Sequence, residues 1–216
     1  MNAVAQLDTT HLVALAAALG WASGLRLYAV VFLTGLAGWL GWLPLPPGLQ
    51  ILQHPLVLGA SGLMLVIEFL ADKIPAVDSL WDALHTVIRI PAGAALAAGV
   101  FSGMGGEWLG GDATVWATIA ALLGGTLAAT SHVAKATTRA AINTSPEPFS
   151  NIGASLLGDA AVPAMLWLAW THPLWFFVCL AVALVLMGVL IVVLMKFLRG
   201  LIRMLRARFS GGAAMV

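Results

Sequence analysis

The chain has 216 residues, 61% of them hydrophobic and only 9% charged, with a formal net charge of +1. Soluble domains carry about a quarter charged residues, so this composition excludes a water-soluble globular protein. With a mean hydropathy of +1.00 it indicates an all-α, polytopic integral membrane protein.

Apolar runs recur at residues 12–40, 56–70, 87–101, 114–129, 152–170 and 174–195. A helix needs about 20 mostly apolar residues to cross a bilayer, so about six transmembrane helices are predicted, the second and third being short for the task. The first run has no basic segment before it and continues past any plausible cleavage point, so it is read as a span and not a cleaved signal peptide. Arg26 lies deep inside it, flanked by Gly20, Ser23 and Gly24, which permit a kink. Two readings follow: a buried partner for an acid such as Glu68 or Asp159, or a ligand-binding guanidinium in a polar cavity, with Ser23 beside it. The prolines at 44, 46 and 47 then end the first helix.

Glu68 and Asp72 stand one turn apart at the end of the second helix. Beyond them, Asp78, Asp82, His85 and Arg89 fall within an arc of about 60° on a helix advancing about 100° per residue. The set reads as a salt-bridged strip on an interfacial helix, with Lys73 satisfying Asp72; as a polar transport site carrying a coupling cation or proton; or as a divalent-metal site of Asp78, Asp82 and His85. Gly103 to Gly111 is a glycine-rich turn without the strand that a phosphate loop requires.

On the fourth helix His132, Lys135, Arg139 and Asn143 share a face. They either invite an anion or snorkel to the interface. Ser145-Pro146-Glu147-Pro148 closes that helix, and the fifth carries Asp159 with Ser155 one turn earlier. His172-Pro173 makes a tight hairpin into the sixth helix, which holds the single Cys179, read as a small buried hydrophobe. Trp42, Trp108, Trp116, Trp170 and Trp175 near the predicted ends read as interfacial belts.

Lys196, Arg199, Arg203, Arg206 and Arg208 make the tail from about residue 200 to 216 basic, and the positive-inside rule places it in the cytoplasm. Six spans put the N-terminus there too. Loops at 71–86 and 131–151, with Lys73, Lys135 and Arg139, then lie inside. Those at 41–55, 103–113 and 171–173 carry no Lys or Arg and lie outside.

No hydrophilic domain or linker interrupts the chain, so residues 1–216 form one helical membrane domain. Its halves, 10–104 and 114–200, each pair a basic-bearing helix with a Leu–small–Asp segment before a proline. That pattern arises from an inverted three-plus-three repeat or from chance matching in a small apolar alphabet.

The segments Ala22-Ser23-Gly24-Leu25-Arg26, Glu68-Phe69-Leu70-Ala71-Asp72-Lys73-Ile74-Pro75 with Asp78, Asp82, His85 and Arg89, and His132, Lys135, Arg139 with Ser155-Leu156-Leu157-Gly158-Asp159 together resemble a bacterial multi-pass membrane family. It is catalogued as domain of unknown function 4126, and the likeness covers roughly residues 12–200. The resemblance implies a helical integral membrane protein and supplies no substrate. The family pattern has a second acid just before Asp159, where this chain has Gly158.

These observations lead to the expectation of an inner-membrane transporter or translocase with an intramembrane polar cavity. Arg26, Ser23, His132, Lys135 and Arg139 would bind an anionic solute or lipid headgroup. Glu68, Asp72, Asp78, Asp82, His85, Arg89 and Asp159 would balance charge or carry a coupling proton or cation. The alternatives are a metal-dependent intramembrane enzyme acting on a phospholipid or polyprenyl phosphate, and a non-catalytic membrane scaffold. No cofactor and no nucleic-acid partner is expected, membrane lipids are, and a homo-oligomer is compatible with the sequence.

Overall fold

The computed structural model describes residues 8–74, 77–103, 112–144 and 149–211, with side chains described as far as residue 204. Six helices follow one another: α1 (Thr9–Trp39), α2 (Pro55–Ala71), α3 (Val77–Phe101), α4 (Ala113–Ile142), α5 (Phe149–Thr171) and α6 (Pro173–Gly211). A short 3₁₀ segment, Pro47–Gln53, precedes α2. Five of the helices are long and apolar enough to cross a membrane, and six spans result if the 3₁₀ segment and α2, bent by 69°, count as one broken span. The protein is a multi-pass helical membrane protein.

Two boundaries differ from the sequence expectation. The third helix starts at Val77, not at residue 87, so the Asp78–Arg89 stripe belongs to a spanning helix and not to a loop or an interfacial segment. The fourth continues to Ile142, which makes Lys135 and Arg139 helical, the first partly buried and the second buried within the bundle. Hydropathy ends a span at the first cluster of charges. Partners on neighbouring helices let these charges stay inside.

α1 is the centre of the bundle and touches all five other helices. Its unusual alphabet of Ala, Gly and Leu explains why: helices in lipid gain most from close backbone approach. A Cβ built on Gly20 would lie 2.5 Å from the Cα of Gly124, and one on Gly24 would strike the Ala128 carbonyl and the Ser131 hydroxyl. At this crossing Ser131 Oγ donates to the Trp21 carbonyl at 2.6 Å. α3 closes the seam, with Gly93 against Ala128 and Ala97 against Gly124.

α6 is peripheral. Phe176 and Leu180 are buried, whereas most of its remaining apolar side chains face outward. Cys179 is exposed on that outer face, contrary to the buried position expected from sequence. An apolar run with no polar residue carries no mark of which face meets protein and which meets lipid.

Asp8 caps α1 by accepting the His11 backbone N–H at 2.8 Å, and this bond holds its carboxyl below the usual carboxylate range. The cap is fully present above the unfolded carboxylate range and is lost as pH falls through the lowered value. Acidification, or Asp8→Ala, is expected to speed amide exchange at the first turn of α1 and leave the remainder of the helix protected.

Candidate functional site

Outside the basic tail the chain has five Lys or Arg residues, Arg26, Lys73, Arg89, Lys135 and Arg139, and all five join one network of ion pairs. Their partners are five carboxylates, Glu68, Asp72, Asp78, Asp82 and Asp159. Of the other four acids, Asp8 and Asp112 cap helices, and Glu107 and Glu147 lie outside the described residues. With every group ionised, five positive and five negative charges cancel. Burying ions in a medium of low permittivity costs several kcal/mol each, so neutrality within hydrogen-bond reach is the condition for burying them at all.

The network is organised by a break in α1. Arg26 has φ −146° and ψ 74°, outside helical geometry, with a helix on each side. Interrupting the helix frees backbone carbonyls that must find donors within the protein. One is Leu25 O, which accepts Lys135 Nζ at 3.3 Å. The Arg26 side chain reaches Asp72 Oδ2 at 2.5 Å and Asp159 Oδ1 at 2.7 Å. It also donates to Ser155 Oγ at 2.9 Å and to the Glu68 carbonyl at 3.4 Å. The sequence offered Glu68 or Asp159 as its acid; the structure pairs it with Asp72 and Asp159, and Glu68 supplies only backbone.

Asp72, at the end of α2, sits among three cations: Arg26, Lys135 Nζ at 2.9 Å and Arg139 Nη2 at 3.9 Å. Lys73, expected to satisfy Asp72, turns to Asp159 Oδ2 at 3.1 Å and covers the Phe69 ring. Deeper in the bundle Arg89 bridges Glu68 at 2.5 Å and Asp82 at 2.7 Å, and Asp82 also meets Lys135 at 3.0 Å. Toward the end where α3 begins and α4 finishes, Arg139 Nε lies 3.6 Å from Asp78, which also accepts from Asn143 at 3.0 Å. Arg139 donates to both the carbonyl and the side-chain oxygen of Asn151.

The partners of the two network histidines fix the orientation of each ring. Arg89 Nη1 can only donate, so His132 Nδ1 accepts at 3.3 Å, and its Nε2 faces Thr86 Oγ1 at 2.7 Å. The Thr86 hydroxyl donates to the Asp82 carbonyl at 2.9 Å, so its oxygen accepts from Nε2–H of the imidazole. His85 is stacked on Trp81, faces the Trp81 carbonyl with Nδ1 at 2.8 Å and meets the Tyr28 hydroxyl with Nε2 at 3.1 Å. Tyr28→Phe removes that last bond and is expected to cost about 1 kcal/mol, read from the melting temperature in detergent, with the ion pairs intact.

Asp78, Asp82 and His85 therefore diverge. One is held by Arg139 and Asn143, one by Arg89 and Lys135, and one by Trp81 and Tyr28. Among the described residues no three His, Cys, Asp or Glu side chains are placed to hold a metal ion. The one-face stripe seen in the sequence is real as a buried face, yet its members are committed to different partners. Ser23, buried beside the break, donates to the Leu19 carbonyl at 2.5 Å on its own helix and is not drawn into the cluster.

Sequence reasoning passed over Tyr28, Thr86, Asn151 and Trp21. Tyr28 carried a usable signal, being the single tyrosine of the chain and two residues from Arg26. Nothing marked Thr86 or Asn151.

Two cavities flank Arg26. The first, of about 200 Å³, lies between α1, α4, α5 and α6 and is lined by Arg26, Asp72, Lys135, Arg139 and Ser155 together with apolar side chains. The second, of about 360 Å³, lies between α1, α2 and α5 and is lined by Arg26 and Asp159 with Leu33, Leu65, Phe69 and Pro163. Arg26 and its ion pairs thus form the partition between them.

A family model described as Domain of unknown function (DUF4126) matches residues 13–194, which takes in the whole network. No curated protein and no solved structure matches the chain.

Proposed function

The chain belongs to the DUF4126 family, and for this member we propose a small membrane transporter or translocase that passes an anionic group through the polar interior. The observation that carries this reading is Arg26, placed at a break in the central helix and shared by two cavities. Interrupted helices with charged residues at the break are how membrane carriers build binding sites, because the freed backbone and the side chain act on the same ligand. On the first cavity the lining charges are three cations against one carboxylate, which favours an anion. Pro163 removes the donor that the Asp159 carbonyl would otherwise receive within α5, so α5 is weakened at the residue that pairs with Arg26.

Charge balance supplies the coupling. Because the network is already neutral, a bound anion leaves it with one uncompensated negative charge in a dry environment. Protonation of one carboxylate restores neutrality, so the anion and a proton move together. Placement in the bacterial inner membrane with the end of α6 cytoplasmic is supported by the exposed Lys196, Arg199 and Arg203.

The test uses liposomes with an entrapped pH dye and an imposed inward phosphate gradient. Luminal acidification that persists when potassium and valinomycin clamp the voltage is expected for the wild type. It should fall at least about tenfold in Asp159→Asn, since removing an interaction essential to passage costs more than about 1.4 kcal/mol of barrier. Wild-type flux that responds to voltage at constant pH gradient would contradict the coupling. Unaltered flux in both Arg26→Ala and Asp159→Asn would end the reading.

A further inference from the structure

The first cavity opens sideways. Its rim includes Leu157, Met187 and Leu190 from α5 and α6, of which Leu157 is 72% exposed and Leu190 38%. Exposed leucines on a spanning helix face hydrocarbon, so the mouth between α5 and α6 meets the bilayer and not bulk water. The floor is the opposite in character. The buried Arg26 and Arg139 line it with the partly buried Lys135. Trp21, 3% exposed, lines it too, and its indole N–H has no acceptor among the described residues. A buried indole donor without an acceptor is costly, and a ligand oxygen would satisfy it.

The depth fits a headgroup. Arg139 is one turn from the end of α4 and Ser155 lies in the second turn of α5, so the polar floor is near one face of the membrane. α6 leads to the same level. Beyond Leu190 it continues to Lys196, Arg199 and Arg203, and at about 1.5 Å per residue Lys196 stands about 9 Å further along the helix. Exposed basic residues at that height attract anionic lipid.

We propose that the first cavity is a lateral portal for an anionic phospholipid: its headgroup phosphate enters against Arg26, Lys135, Arg139 and the Trp21 indole, while its acyl chains stay in the bilayer along Met187 and Leu190. The inference rests on the anion-transport reading and names its substrate class. The apolar rim lets a lipid reach this floor by lateral diffusion within the bilayer. Gly158 keeps the portal open. A Cβ there would meet only Arg26 Nε, at 3.8 Å, so the position tolerates a side chain sterically but a large one fills the cavity.

The full chain in nanodiscs of phosphatidylcholine with a minority of phosphatidylglycerol tests this, with retained lipids counted by native mass spectrometry and inorganic phosphate binding measured by calorimetry. Phosphatidylglycerol should be retained about tenfold above its bulk ratio. Gly158→Phe should bring the enrichment below about twofold with every ion-pair residue present. Should that variant fail to fold, the surface variant Lys196→Gln/Arg199→Gln/Arg203→Gln serves, and about a threefold loss is expected from it. Enrichment that survives Gly158→Phe, or that the surface variant leaves unchanged, places the lipid elsewhere and overturns the proposal. Phosphate binding without phosphatidylglycerol enrichment overturns the lipid portal and leaves the anion site standing. Binding of neither removes both.

Discussion

Arg26→Ala is expected to abolish phosphate-driven acidification and to lower the stability of the folded protein by about 3–5 kcal/mol, the usual cost of removing one partner from a buried pair. The guanidinium is 2% exposed and Asp72 fully buried, so truncation leaves two carboxylates and Ser155 facing a void that water fills poorly. Lys135 and Arg139 remain beside Asp72, and this sets the effect within that range and not above it. Asp159→Asn should cost far less stability, because Asp159 is partly exposed and Arg26 keeps Asp72. The pair of variants separates folding from function. Equal melting temperatures for Arg26→Ala and Asp159→Asn would show that Arg26 is not the pivot of the network.

Gly20→Val is the second large effect. The side chain would have to occupy space held by the Gly124 backbone, which no rotamer change can vacate, so α1 and α4 must separate. Overpacking in a tight core costs about 1–3 kcal/mol and more when backbone has to move; a loss of about 3 kcal/mol or greater is expected here. Activity should fall with it, because α4 carries His132, Lys135 and Arg139 away from α1 and α3. Gly59→Ala is the control. Nothing lies within 4 Å of a Cβ there, and replacing a mid-helix glycine should be neutral or stabilise by about 0.5–1 kcal/mol. Thermal melts of the two variants in one detergent settle the comparison, and similar melting points would refute the seam.

Much of the architecture was legible in the sequence because hydropathy and proline placement act locally. The prolines after residue 43, His172-Pro173 and the apolar runs mark helix ends that the structure keeps. The start of α3 and the end of α4 were not legible, since a charge in an isolated helix argues against the bilayer and only a partner on another helix reverses that argument. The site was legible as a list of groups, not as a set of pairs. Helical spacing put Asp78, Asp82, His85 and Arg89 on one face, but it cannot tell that Asp82 takes Lys135 or that His85 takes Tyr28, both on other helices. The break at Arg26 was foreshadowed by Gly20, Ser23 and Gly24, and the peripheral position of α6 by nothing at all.

The way Arg26 is neutralised bears on how these helices enter the membrane as the ribosome makes them. Arg26 leaves the ribosome before Asp72 and long before Asp159, so the helix destined for the middle of the bundle is the one least able to enter lipid by itself. Full burial of Arg26 is therefore expected only once α2 has delivered Asp72, and its second ion pair only once α5 has delivered Asp159.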